Sequence, residues 1–267
     1  MKRMDQGGFM GGLYRISEWI MRLSALNLLW IFTAFPFFFL VLILLSGPPF
    51  YFPVLFWMAI LSPIFFFPST AASFAVARKW VIGQEDVPLF RTFFKGYKEN
   101  YRYSFLGGCL YLLAGLVLGV NLYFYWLKPG LLKSLAYAAG LLLLFLIASI
   151  PFFISSLVHF NVNFRTLIRN SLLMTLISPF RALFLLLVSL FLLFLSIFYF
   201  PFLLAFFTGS LLSLLSYWVF HRNYLRLMEK ERVKMEESEG EKGSHEPGET
   251  PGKQGERGSR GSPNQEE

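Results

Sequence analysis

The sequence predicts an all-α fold, a polytopic membrane bundle of about six transmembrane helices, and three observations support this class. Of the 267 residues, 55% are hydrophobic and only 15% are charged, whereas soluble domains are about a quarter charged. No aspartate or glutamate occurs between Glu99 and Glu229. Lysine and arginine cluster in alternate segments between the apolar runs. Because an ionised group is costly in hydrocarbon, this pattern is typical of a bilayer-embedded chain.

Apolar runs of about 20 residues, long enough to cross a bilayer, divide the chain into six predicted spans. The second span contains Pro63 and Pro68, so we expect it to be kinked or re-entrant. The last apolar block, residues 182–220, is too long for one span, and Pro201 divides it into two. The predicted spans are residues 24–46, 51–77, 104–127, 135–158, 182–199 and 201–220.

The distribution of lysine and arginine predicts the orientation of the bundle. With six spans and both termini inside, 22 of the 24 cations fall on the inner side, and only Lys128 and Lys133 fall outside. This arrangement follows the positive-inside rule. Five spans would place the C-terminal cations on the opposite side. We therefore expect a multi-pass plasma-membrane protein with both termini in the cytoplasm.

Amphipathic segments and a polar tail flank the predicted membrane domain, which covers residues 24–228. Residues 1–23, 86–103 and 160–178 have helical apolar and basic faces, so we expect cytoplasmic interfacial helices there. Residues 229–267 are rich in Glu, Gly, Ser, Pro and Lys and have little to bury. We expect this last segment to be a disordered cytoplasmic tail.

In residues 86–103 an aromatic stripe, which includes Phe93, lies beside a basic stripe at helical spacing. One interpretation is an interfacial helix with its rings among lipid headgroups and its cations toward phosphates. The other is a docking surface for a cytoplasmic partner. The two are compatible if only part of the helix faces lipid. The partner- or lipid-facing candidates are Phe90, Arg91, Phe94, Lys95, Tyr97, Lys98, Tyr101 and Arg102.

Few residues in the chain carry recognisable chemistry. The predicted spans contain no carboxylate, which disfavours ion-coupled transport through a buried acid, and no phosphate-loop, metalloprotease or nucleophile-elbow motif is present. His159 and His221 follow the inner ends of two spans without a carboxylate or cysteine to assist them, so an interfacial role is favoured over catalysis. We expect no catalytic residue, no metal, no cofactor and no enzymatic activity.

Polar and small residues inside the predicted spans favour helix packing. Asn27, near Trp30, can hydrogen-bond a neighbouring helix or a ligand, and a bond between helices is the favoured interpretation. Cations that flank apolar spans are explained by anionic lipid headgroups, so we expect the bilayer as a partner and no nucleic acid. The glycines whose spacing predicts close packing of the third span are Gly107, Gly108, Gly115 and Gly119.

Several runs of residues carry a family resemblance. They are LSALNLLWIFTAFP from Leu23, FPSTAASFAVARKWVIGQ from Phe67, LFRTFFKGYKENYRYSF from Leu89, RNSLLMTLISPFRALFLLL from Arg169 and SYWVFHRNYLRL from Ser216. Together they resemble the YesL-type family of bacterial multi-pass membrane proteins over residues 10–228. The positions we assign to the family motif are Asn27, Trp30, Pro68, Thr70, Ala71, Ala72, Arg78, Lys79 and Trp80.

The resemblance implies a role without supplying a site. The family occurs chiefly in Gram-positive bacteria, often beside genes for carbohydrate-uptake ABC transporters and polysaccharide breakdown, and it offers no catalytic or ligand residues to carry over. We therefore expect a membrane accessory or scaffold protein associated with carbohydrate uptake, with ABC-transporter subunits as its partners. The alternative is a small-solute or sugar permease in its own right. A membrane enzyme is the least favoured hypothesis.

Overall fold

A computed structural model describes residues 9–244, and this part of the chain is helical with no β-strand. It confirms the predicted polytopic helical bundle. The chain divides into two compact units, one ending at Tyr224 and the other beginning at Leu225. The helices are α1 Phe9–Thr33, α2 Phe35–Leu45, α3 Tyr51–Leu61, a π-helical turn Ser62–Phe66, α4 Phe67–Val81, α5 Leu89–Trp126, α6 Leu132–His159, α7 Phe164–Ile177, α8 Pro179–Phe198, α9 Pro201–Phe206 and α10 Thr208–Ser244.

By length and composition, four stretches of helix in the described residues can cross a membrane: Tyr51–Val81, which joins α3, the π-helical turn and α4, together with α5, α6 and α8. The pair α1 and α2 makes a fifth if a bend of 86° is counted within one span. The sequence predicts about six. The difference lies in residues 201–220, where α9 has only six residues and α10 is rich in polar side chains.

The predicted first span is bent because of a proline. Pro36 has no N–H to donate and its ring clashes with the preceding turn, so the helix ladder cannot continue through it. The backbone turns at Ala34, whose carbonyl accepts the N–H groups of Phe37 and Phe38 at 3.0 and 3.1 Å. One apolar run of 24–46 therefore becomes two helices, α1 and α2.

Two of the predicted interfacial helices are continuous with the spans that follow them. α1 begins at Phe9 and runs into the first span, and α5 covers residues 89–126 without a break. Between Leu89 and Trp126 the sequence has no proline, and the charged residues there are good helix formers. The third segment is a separate helix, α7, at Phe164–Ile177.

The predicted disordered tail is corrected over residues 229–244, which are helical in α10. Lysine, arginine and glutamate favour helix in this stretch, and Arg232 Nε donates to Glu236 Oε1 at 2.9 Å, one turn away. The remainder of the predicted tail, residues 245–267, and the start of the predicted N-terminal helix, residues 1–8, lie outside the described residues.

A compact apolar cluster joins α1, α4 and α5 near the start of α5. Trp80 meets Trp19 edge to face, with ring centroids 5.5 Å apart. Phe93, one member of the predicted aromatic stripe, is fully buried in this cluster. Burying Phe93 fixes one side of α5 against the bundle and leaves the other side exposed. The buried members are Leu26, Leu29, Ala72, Val76, Trp80 and Phe93.

The glycines of α5 differ in what surrounds them. A Cβ at Gly107 would lie 2.3 Å from the ring of Phe153, and one at Gly108 would lie 2.8 Å from the Cα of Pro63. Gly115 and Gly119 have no atom within 4 Å of the same position. Close packing therefore involves the first two glycines, whereas a Cβ at either of the second two would lie in open space.

This difference gives a matched pair of substitutions on one helix. Gly107→Ala should destabilise the protein by about 1–3 kcal/mol relative to Gly119→Ala, because the fully buried Phe153 ring cannot move aside. Gly119→Ala should be neutral or slightly stabilising, since alanine favours helix. Thermal unfolding in detergent measures both variants, and equal melting temperatures would contradict the packing.

Candidate functional site

Asn27 on α1 bridges the break between α9 and α10. Its Nδ2 donates to the carbonyl oxygens of Leu204 and Ala205 at 2.9 and 2.6 Å. Its Oδ1 accepts the backbone N–H groups of Gly209 and Ser210 at 2.8 and 3.2 Å. An amide has two donors and two acceptor sites, so the side chain is fully used. The bond between helices that the sequence favours is what the structure shows, and Asn27 is completely buried.

Trp30 lies one turn further along α1 and contacts three places where a helix is interrupted. These are α2 after the bend in the first span, the π-helical turn with the start of α4, and the start of α10. Its Nε1 donates to Thr70 Oγ1 at 3.0 Å, near the start of α4. Its ring lies 4.7 Å from the ring of Phe38 on α2 and 5.8 Å from that of Phe66 in the π-helical turn. A Cβ at Gly209 on α10 would lie 2.3 Å from the same indole. Small residues are required here because the rings and backbones approach so closely.

The other family-motif residues lie on α4, where they separate into a packing group and a basic group. Pro68, Ala71 and Ala72 are buried, and Ala71 and Ala72 have no exposed surface. Trp80 is 4% exposed and belongs to the apolar cluster. Arg78 and Lys79 lie in the last turn of the helix and line a cavity. These last two residues define a second feature of the site.

That cavity, which we call the basic cavity, has a volume of about 720 Å³ and lies between the end of α4, the beginning of α5 and the end of α6. Its lining carries three cations, Arg78, Lys79 and Lys95, and one carboxylate, Glu99. Lys95 Nζ lies 3.7 Å from Glu99 Oε1. The lining therefore has a net charge of +2 with its histidine neutral. The other polar side chains are Gln84, Thr92, Asn100, Tyr103, His159 and Asn161.

The guanidinium of Arg78 lies beside His159 and Tyr217, and His221 packs against both of these rings. Arg78 Nη1 donates to the carbonyl oxygen of Val158 at 2.7 Å, and the group also lies against the hydroxyl of Tyr217. That hydroxyl is 2.8 Å from His159 Nδ1. The ring of His221 stacks on Tyr217 with centroids 6.1 Å apart. This cluster could not be predicted from the sequence, because α4, α6 and α10 each contribute to it from distant positions.

Two further properties of the cluster bear on its chemistry. Arg78 Nε and His221 Nδ1 are enclosed without a hydrogen-bond partner. Among the side chains that the structure describes, residues 11–236, no group of three or more His, Cys, Asp and Glu is placed to hold a metal ion. The Arg78 guanidinium gives the cluster a positive charge and an N–H donor that no described group accepts.

The partner- or lipid-facing candidates lie along one side of α5, which we call the α5 face. Seven of the eight are exposed, and Tyr97 is half-buried against the apolar cluster. Lys95 also lines the basic cavity. Arg22 of α1 reaches the loop before α5, where it donates to the carbonyl oxygen of Glu85 at 2.8 Å and pairs with Asp86 at 3.3 Å. The loop that precedes α5 is thereby fastened to α1.

The helical spans bend where a helix is interrupted, and side chains bond the backbone groups that the interruption leaves free. A basic cavity lies at the end of one span. These features define a polytopic helical membrane protein. Residues 23–122 match the family described as "Protein of unknown function, DUF624". The chain belongs to this family, which confirms the YesL-type resemblance.

Three proteins of Bacillus subtilis (strain 168) are similar to this chain over most of its membrane domain. Uncharacterized protein YteU is 32% identical over 79% of this chain and 84% of its own length. Uncharacterized protein YesL is 31% identical over 76% of this chain and 85% of its own length. Uncharacterized protein YesV is 30% identical over 62% and 70%, respectively. No solved structure matches the chain.

The role of Asn27 can be tested against the other asparagine of the predicted spans. Asn27→Ala should lower the free energy of unfolding by about 2–4 kcal/mol, because it leaves several buried backbone groups unpaired. Asn121→Ala should cost less than about 0.5 kcal/mol, since Asn121 bonds only Val117 of its own helix. Unfolding in mixed detergent measures both, and similar losses would contradict the bridging role.

Proposed function

We propose that this chain is a multi-pass accessory protein of the bacterial plasma membrane, with both termini in the cytoplasm, that binds a cytoplasmic partner through the α5 face. The supporting observation is that arginine, lysine and aromatic side chains are exposed together there. Arginine and aromatic residues are enriched at protein interfaces and carry much of their binding energy. The proposed role is binding, not catalysis.

The charge of the α5 face indicates the chemistry of the partner. Arg91, Lys98 and Arg102 are exposed and form no ion pair with a carboxylate in residues 11–236. A partner with an acidic patch would complement them and associate faster through electrostatic steering. We propose a subunit of a carbohydrate ABC transporter as that partner. The gene neighbourhood of the YesL-type family supports the choice.

The surroundings of the α5 face favour a docking surface for a partner over a helix that faces only lipid. Phe93 points into the bundle and is fully buried, so the aromatic stripe is split between the core and the surface. Tyr97 and Tyr101 pack together with centroids 5.7 Å apart. The exposed part is therefore a defined patch of charge and rings, with one side fixed against α1 and α4.

Charge reversal on the α5 face tests the docking proposal. The triple variant Arg91→Glu, Lys98→Glu and Arg102→Glu should reduce co-purification of transporter subunits from native membranes at least about tenfold, because complementary charges become repulsive. The control, Lys128→Glu with Lys133→Glu, changes cations at the other end of α5 and the start of α6 and should leave recovery unchanged. Recovery of no transporter subunit above background with the unaltered chain would contradict the proposal.

A permease remains the second candidate because of the interrupted helices around Trp30. Discontinuous spans often form substrate sites in transporters, where unwound backbone groups bind the solute. Here, however, Asn27 already bonds the carbonyl and N–H groups at the α9–α10 break. Those groups are not open to a substrate.

Reconstitution separates the two functions. Proteoliposomes that contain this protein alone should take up labelled mono- and disaccharides no faster than empty liposomes, since an accessory protein has no transport path of its own. A reconstituted sugar permease of known activity is the control for liposome integrity. Uptake at several times the empty-liposome rate, abolished by Trp30→Ala, would instead support the permease.

A further inference from the structure

Arg78 is a partly buried cation with no counter-ion among the residues that the structure describes. Its Nη1 is bonded to a neutral carbonyl, that of Val158, and its Nε is enclosed without a partner. No carboxylate in residues 11–236, whose side chains the structure describes, forms an ion pair with it. Taking a charge out of water without an opposite charge nearby is costly. The structure therefore concentrates unbalanced positive charge at this point.

The neighbours of Arg78 add to that charge. Lys79 follows it on α4 and Lys95 faces it from α5, and both line the basic cavity. The single carboxylate of the lining, Glu99, is paired with Lys95. The hydroxyl of Thr92 and the amide of Asn161 are neutral donors that also line the basic cavity. A bound anion would meet cations from two helices and neutral donors around them.

The size and donor pattern of the basic cavity favour a phosphate group over a carboxylate. A volume of about 720 Å³ lies within the range of small-molecule sites. A phosphate group offers more acceptor oxygens than a carboxylate and, as a monoester, a charge approaching −2 near neutral pH. Arginine binds phosphate oxygens through its planar fork, while lysines act as point charges. A net charge of +2 on the lining matches such an anion.

We propose that the basic cavity binds an anionic phosphate group, with Arg78 as its main ion-pair partner and Lys79 and Lys95 supplying further positive charge. Two sources share this chemistry. One is the phosphodiester of an anionic lipid headgroup, because α4 and α6 are membrane-spanning stretches that end at the cavity. The other is a free phosphate or a soluble phosphomonoester. Lys95 belongs to both the cavity and the α5 face, but the docking test alters Arg91, Lys98 and Arg102, which do not line the cavity.

Binding measurements on the purified full chain in detergent test the site in two arms. The first titrates inorganic phosphate at constant ionic strength and follows the heat of binding. The second adds phosphatidylglycerol or phosphatidylcholine and follows retained lipid by native mass spectrometry. Arg78→Gln should weaken phosphate binding at least about tenfold, or abolish selective retention of phosphatidylglycerol, because a charge-assisted pair is lost.

Further variants keep the test decisive. Arg78 also holds the end of α6 through Val158, so Lys79→Gln and Lys95→Gln report on the site even if Arg78→Gln does not fold. Each should weaken binding about threefold or more. Lys98→Gln removes an α5 cation outside the cavity and should bind like the unaltered chain.

Each outcome of the two arms decides the proposal. Binding of inorganic phosphate that Lys79→Gln and Lys95→Gln weaken supports a soluble ligand. Selective retention of phosphatidylglycerol that the same variants weaken supports a lipid headgroup. Binding of neither probe overturns the proposal, and so does binding that the cavity variants reduce no more than Lys98→Gln does. The docking proposal is tested by co-purification with Arg91, Lys98 and Arg102 altered, so it stands or fails separately from phosphate or lipid binding.

Discussion

Backbone N–H and carbonyl groups that are buried away from water, in lipid or in the packed interior, must be satisfied inside the protein. This constraint is most demanding where a helix breaks. At the α9–α10 break, Asn27 accepts two N–H groups and donates to two carbonyls. The hydroxyl of Thr208, the first residue of α10, lies 2.7 Å from that of Ser196 on α8. The break is stable because the side chain of Asn27 replaces the missing helix bonds, and the Ser196–Thr208 bond ties α8 to the start of α10.

Satisfying that break also determines how α1 packs. With Asn27 fixed, Trp30 lies one turn further along the same helix, where its indole N–H reaches Thr70 on α4. The hydroxyl of Thr70 in turn donates to the carbonyl oxygen of Phe66 at 2.7 Å, within the π-helical turn. A single helix thus binds both interrupted neighbours. α4 is held by Trp30 near its start and by Trp80 in the apolar cluster near its end, and the basic cavity lies at that same end of the helix.

How much the sequence could predict depended on whether a feature is local. The carboxylate-free run identifies a membrane bundle because composition alone excludes a charged soluble surface. The break at Phe207 could not be foreseen, since its only marker is the small polar run Thr208 to Ser210 and its stability comes from Asn27, far away in the sequence. The Arg78 cluster was missed for the same reason. The helix of residues 229–244 was missed because a polar composition was equated with disorder, although it also favours isolated helix.

The same end of the bundle carries two kinds of positive charge that differ in their surroundings. The α5 face is exposed, so salt screens its charges over about 8 Å at physiological ionic strength and each exposed ion pair contributes little. Arg78 is partly enclosed and keeps its field, because protein replaces water around it. Lys95 belongs to both groups. A surface of the first kind is suited to reversible docking and a cavity of the second kind to holding one anion, so burial separates two roles that composition alone would merge.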